Sequence, residues 1–408
     1  MTIRPESVGV SSERLARIDS HLKNSYVDPG KIAGALTLVH RRGLLVHLSP
    51  MGLMDRERGV PMSDDTIFRI YSMTKPITSV ALMMLYEHGA FQLDDPVRRF
   101  IPAWRDLRVF AGGNHPQFLT EPCARPMTVR DLLTHTSGLT YGFMERTNVD
   151  RAYRKFSIGA FGKPFSGDLA DMVQAVAGLP LEFSPGTAWN YSVSTDVCGR
   201  LVELISGERF DEYLRRHIFE PLGMVDTGFF VPEEKLGRFA ANYQRGPGKQ
   251  LQRVDDPQAS AYAKPPRFLG GGGGLVSTAA DYLSFCRMLL GGGEFGGARI
   301  LGPKTIELMT RNHLPGGRDL AQTSVGLFSE TTMRGTGFGL GFSVNLDPVA
   351  SGVVGSVGEY AWGGAASTLF WIDPAEELIV IFMTQLMPSR TFNFRGQLKS
   401  IIYPALVD

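Results

Sequence analysis

Val80, Ala81, Leu82, Met83, Met84 and Leu85 follow one another without a polar break. A helix with no polar face must be covered on every side, so this run predicts a central buried helix reaching from Ser72 to about Gly89. Elsewhere the periods differ. Leu15, Ile18 and Leu22 recur at helical spacing and predict an amphipathic helix over 12–25, capped by Ser11 or Ser12. Extended segments at 32–40 and 44–49, separated by Arg41-Arg42-Gly43, predict a hairpin. Phe68 and Ile70 mark a short extended piece before Ser72. Helices are expected at 128–134, 169–177, 193–205 and 279–290. Thr128 with Asp131, and Thr278 with Asp281, supply caps for two of them. Residues 140–165 carry many aromatics and little periodicity, which suits a lid or pocket wall. Near the C-terminus, strands are expected at 351–357, 360–366, 368–372 and 378–383, with a turn at Asp373-Pro374.

A hairpin and buried helix at the start, a helical middle and strands at the end imply an α/β fold of the α+β type. Its antiparallel sheet would be flanked by helices and built from both termini. Residues 1–90 and 265–408 would form one discontinuous domain, and 91–264 a mainly helical insertion. A length of 408 residues accommodates both units.

Composition excludes several classes of function. The 43% hydrophobic and 20% charged residues are ordinary for a globular chain. A formal net charge of +1 and the lack of a long basic run argue against a nucleic-acid partner. Arg151 to Lys155 reads as a solvated helix face. Cys123, Cys198 and Cys286 are too few and too scattered for a disulfide framework and fit a reducing compartment. No zinc-type Cys/His spacing occurs, so no metal or other cofactor is expected. No apolar run approaches a membrane span and no secretory h-region follows Met1, so the expectation is a cytoplasmic protein. The glycine run Gly270–Gly274 lacks the Lys-Ser/Thr of a phosphate loop and reads as a tight return into the core.

The remaining chemistry points to acyl transfer. No serine fits the G-x-S-x-G elbow, so a histidine-based triad has no support. Two serines stand three residues before a lysine: Ser20 with Lys23, and Ser72 with Lys75. This spacing puts both side chains on one helix face. Ser20 falls on the wet face of an amphipathic helix. Ser72 opens a buried one, where free N–H groups and the helix dipole favour negative charge. Pro76 belongs in a first turn. Burial of Lys75 favours its neutral, basic form.

Ile70-Tyr71-Ser72-Met73-Thr74-Lys75 resembles the first motif of the class C β-lactamases, DD-peptidases and family VIII carboxylesterases. So do Leu132–Leu139, Pro185-Gly186 through Ser192, and Pro221–Met224, in the family's order. The resemblance implies that Tyr191 shares base and proton-shuttle duty with Lys75, and that Trp362-Gly363-Gly364 is the third motif. It implies an oxyanion hole from the N–H groups of Ser72 and Ala365, with Trp362, Gly363, Gly364, Val193 and Phe143 near the substrate. Two departures bear on specificity. Val193 replaces the asparagine that serves a β-lactam's side-chain amide, and Trp362 replaces a lysine that serves a carboxylate. The expected substrate is therefore a neutral ester of short-to-medium acyl chain, cleaved through an acyl-enzyme on Ser72 by a serine carboxylesterase with weak β-lactam turnover. An acyltransferase, a β-lactamase or D-amino peptidase, and a non-catalytic penicillin-binding-like sensor are the alternatives.

Overall fold

In a computed structural model of the protein, described for residues 4–160, 165–326 and 332–408, the centre is an eight-stranded antiparallel sheet. Its N-terminal strands are β1 (Gly34–Arg41), β2 (Leu44–Asp55) and β3 (Val60–Pro61). Its C-terminal strands are β4 (Thr336–Phe338), β5 (Ser343–Asn345), β6 (Tyr360–Gly363), β7 (Leu369–Asp373) and β8 (Leu378–Met383). The order across the sheet is β4-β5-β6-β7-β8-β1-β2-β3, so β8 pairs with β1 and joins the two ends of the chain.

β8 shows why these residues form a central strand. All six are apolar and buried, and alternate residues enter different cores. Val380 and Phe382 face α1 (Ser12–Leu22) and a C-terminal helix (Phe394–Ile402), with Leu15, Ile18, Leu398 and Ile402. Ile379, Ile381 and Met383 face the larger core around α2 (Thr74–Glu87). Along α2, every residue from Thr74 to Met83 is buried, as its all-apolar run requires. Each large side chain so covered contributes roughly 1.5–3 kcal/mol.

Four further helices lie where the sequence indicates, and a fifth, Asn148–Lys155, falls in the stretch read as an aperiodic lid or wall. They are α3 (Val129–Leu133), α4 (Asn148–Lys155), α5 (Leu169–Ala177), α6 (Ser194–Ser206) and α7 (Ala279–Leu290). Thr128 and Asp131 form a reciprocal capping box on α3, and Thr278 caps α7. α6 packs across α2 and brings the segment after Tyr191 to the start of the buried helix.

The strand expected at 351–357 does not form. Asp347 caps a single helical turn, Pro348–Ser351, and Gly352, Gly355 and Gly358 then take positive φ. Left-handed glycines break the extended path that Val353, Val354 and Val357 suggest. β6 is also shorter than expected, because the chain turns after Gly363 through Ser367 at φ +65°. The aromatic stretch at 140–165 contains α4, and residues 161–164 of it lie outside the described residues.

Candidate active site

Ser72 lies in one helical turn, Tyr71–Met73, that runs directly into α2. The preceding Tyr71 has φ +43°. An aromatic residue in that region costs about 1–3 kcal/mol, which the surrounding packing must hold. Its hydroxyl accepts a hydrogen bond from Asn242 Nδ2 at 3.0 Å, and Ile70 N–H is tied to Leu275 O at 3.1 Å. The bend in front of Ser72 is thus anchored on both sides.

Lys75 is 1% exposed and Tyr191 2%. Tyr191 O–H donates to Ser72 Oγ at 2.6 Å, and Lys75 Nζ donates to the same atom at 3.2 Å. Lys75 Nζ also donates to Gly272 O at 2.6 Å and lies 4.4 Å from the centre of the Tyr191 ring. The Tyr141 ring is 5.2 Å from the same nitrogen. The three residues singled out from the S-x-x-K and Y-S-V strings, far apart in sequence, therefore meet at one hydroxyl.

Trp362-Gly363-Gly364, which resemblance implies to be the third motif, borders them. The Trp362 ring packs 5.5 Å from that of Tyr191 and 5.3 Å from Phe338, and is fully buried. A Cβ added to Gly364 would lie 2.4 Å from Ile70 O and 2.3 Å from Thr368 Oγ1. The glycine is needed because the backbone before the nucleophile passes against it. Gly363 closes β6, and the partly exposed Ala365 begins the turn that follows. Val193 is buried and caps α6, with its N–H on Thr140 O. Phe143 stacks on Tyr141 at 4.7 Å, one layer back from Lys75.

Three features of this site were not assigned to it from the sequence. The glycine run is not merely a return into the core. Its Gly272 carbonyl holds Lys75, while Gly271 O accepts from Thr78 on α2 at 2.8 Å. Asp196, in the first turn of α6, accepts the Gly272 N–H at 2.9 Å. His135 lies 5.0 Å from the Tyr191 ring, with Nδ1 3.1 Å from Ser192 Oγ. Burial, with Lys75 nearby, holds the His135 imidazole well below its ordinary pKa, so it adds no positive charge. Burial likewise pushes the Tyr141 hydroxyl well up. Five glycines in a row signal close backbone approach, but only the folded chain shows what they approach.

By contrast, Ser20 is exposed and its hydroxyl turns back to Ala16 O. Among the described residues no group of three or more potential metal ligands occurs, and no helix is long and apolar enough to cross a membrane.

The chain matches the beta-lactamase family model over residues 22–400. It is 36% identical to an uncharacterised protein of Mycobacterium tuberculosis, covering 88% of each chain. It is 32% identical to esterase EstB of Burkholderia gladioli, covering 87% of this chain and 86% of that one. Among solved structures, EstCE1, a hydrolase with promiscuous acyltransferase activity, superposes with a TM-score of 0.79 at 26% identity, over 96% of this chain and 99% of that one. With a family match spanning most of its length and this architecture around Ser72, the chain belongs to the beta-lactamase family.

Proposed function

We propose that this protein is a serine carboxylesterase of the family VIII type that cleaves small neutral esters through an acyl-enzyme on Ser72. The convergence of Tyr191 and Lys75 on Ser72 Oγ carries this reading. Ser72 Oγ forms a bond to the ester carbonyl carbon while its proton passes to the Lys75–Tyr191 pair. The N–H groups of Ser72 and Ala365 receive the oxyanion. As the intermediate collapses, the C–O bond to the alcohol breaks and Tyr191 returns the proton to the leaving oxygen. Water, deprotonated by the same pair, then attacks the acyl carbon and releases the acid and Ser72.

The choice of ester over β-lactam rests on Val193 and Trp362. Neither presents an amide or a cation, and both are buried among apolar neighbours. Acyl transfer to an alcohol is the second reading, favoured by the likeness to EstCE1, whose acyltransferase activity is promiscuous. It uses the same residues with a different second nucleophile. A panel of aryl esters of increasing acyl length beside a chromogenic cephalosporin tests the proposal, and added acceptor alcohol separates transfer from hydrolysis. Ester turnover that is abolished in Ser72→Ala supports it. Cephalosporin turnover exceeding that of every ester, or failure of a fluorophosphonate to label Ser72, overturns it.

A further inference from the structure

Asp196 is 5% exposed and lies outside the three motifs, yet it is placed at the centre of the site. Its Oδ1 accepts the N–H of Gly272, and the carbonyl of the same glycine accepts from Lys75 Nζ. Gly272 is therefore strung between an acid and a base. The fit leaves no space. A Cβ on Gly272 would come within 2.7 Å of Asp196 Oδ2 and 2.6 Å of the Tyr141 hydroxyl. A Cβ on Gly271 would come within 2.6 Å of Thr195 O, the residue before Asp196. The glycine run is thus moulded onto the first turn of α6, and Asp196 is the side chain that grips it.

We propose that Asp196 is a positioning residue for the Ser72 site. It fixes Gly272, and through Gly272 the Lys75 ammonium, against Ser72, and its negative charge sets the proton balance of the Lys75–Tyr191 pair. The proposal rests on the assignment of Ser72, Lys75 and Tyr191 as the reacting groups.

The electrostatic setting supports it. Burial raises the Asp196 carboxyl above its ordinary pKa, and Lys75 draws it back down. Three titratable groups near the site add no charge. His135 is held far below its usual pKa by burial, and burial raises both the Tyr141 hydroxyl and the Cys198 thiol, the latter also through Asp196 itself. Asp196 is an acidic group close enough to Lys75 for the two to interact electrostatically. An anion beside the pair favours its protonated form, so deprotonation, which the reaction needs, occurs at higher pH than it otherwise would.

The test is the pH profile of kcat/KM for an aryl ester, in Asp196→Asn and Asp196→Glu, with concentrations set by fluorophosphonate titration of Ser72. In Asp196→Asn the plateau should fall by about ten- to a hundredfold through misplacement of Lys75. The acid limb should also move to lower pH by about one unit or more. Asp196→Glu keeps the charge and should return the limb to its wild-type position. A loss of rate with an unmoved limb in Asp196→Asn would leave Asp196 a merely structural residue and overturn the proposal. Gly272→Ala gives a second, independent check should Asp196→Asn not accumulate as folded protein. It should lose at least tenfold in kcat, and a rate within twofold of wild type overturns the proposed link. If Ser72→Ala retained activity, the assignment of the reacting groups would fail instead, and that result is distinct from any of these.

Discussion

Two regions of this molecule carry the same four-residue pattern and differ in everything around it. Ser20 and Lys23 lie at the end of α1, where Ser20 is exposed and bonds its own helix. The Lys23 side chain is 63% exposed and pairs with Asp28 across the surface. Ser72 and Lys75 open α2, where the lysine is enclosed by a glycine carbonyl, a serine hydroxyl and two tyrosine rings. An exposed ion pair is worth little and leaves both groups hydrated. An enclosed lysine has its position, its partners and its proton determined by the protein. The contrast teaches that the pattern supplies two groups on one helix face, while reactivity comes from what is packed over them.

That contrast breaks down if the exposed pair matters. Ser72→Ala should reduce hydrolysis of a short-chain aryl ester by about a thousandfold or more. Ser20→Ala, measured in the same assay, should stay within about twofold of wild type. Tyr191→Phe should lose about a hundred- to ten-thousandfold, because the hydroxyl that reaches Ser72 is removed while the ring stays. Rates for Tyr191→Phe close to wild type would assign the proton transfer to Lys75 alone.

A smaller effect concerns the wall behind the site. Trp362→Ala should destabilise the fold by about 3–5 kcal/mol in denaturant unfolding, since the ring is fully buried against Tyr191 and Phe338. A change below about 1 kcal/mol would mean that the ring lines open space.

The smallest effect separates the pH dependence of folding from that of catalysis. His40 is buried on β1, and burial, aided by the nearby Arg287, lowers its pKa to about 4. The unfolded chain binds this proton near pH 6.5 and the folded one only near 4. Stability from this group is therefore full above about 6.5 and declines as pH falls toward 4, by at most about 3 kcal/mol. His40→Phe should flatten the stability curve in that window and leave the acid limb of kcat/KM in place. A limb that moved with His40 would mean that acid inactivation reports unfolding.

The hairpin β1–β2, strands β6 to β8 and the helices α1, α2 and α7 were legible because their patterns are strong and local, whereas the short strands β3, β4 and β5 and the C-terminal helix Phe394–Ile402 were not read. The run through 80–85, the unbroken apolar run of β8 and the Thr128–Asp131 box each need only a few neighbouring residues. The expected strand at 351–357 failed for a local reason as well, as its glycines adopt a backbone that its valines do not reveal. The β6 end turns locally through Ser367, but what it packs against, the backbone of Ile70, lies nearly three hundred residues away.

By itself, then, the sequence determined that a serine, a lysine and a tyrosine stand in a recognisable order, and that Ser72 heads a helix with no wet face. Its resemblance to the family implies that Val193 and Trp362 stand where amide- and carboxylate-binding groups would otherwise be. Only the tertiary structure decided that Tyr191 reaches Ser72, that the glycine run supplies the carbonyl for Lys75, and that Asp196 holds that glycine. The first two contacts join residues more than a hundred positions apart, and the third joins residues 76 apart. Periodicity records which face of an element is covered, but not which distant backbone covers it, and a hydrogen bond through a glycine carbonyl leaves no side chain in the sequence to betray it.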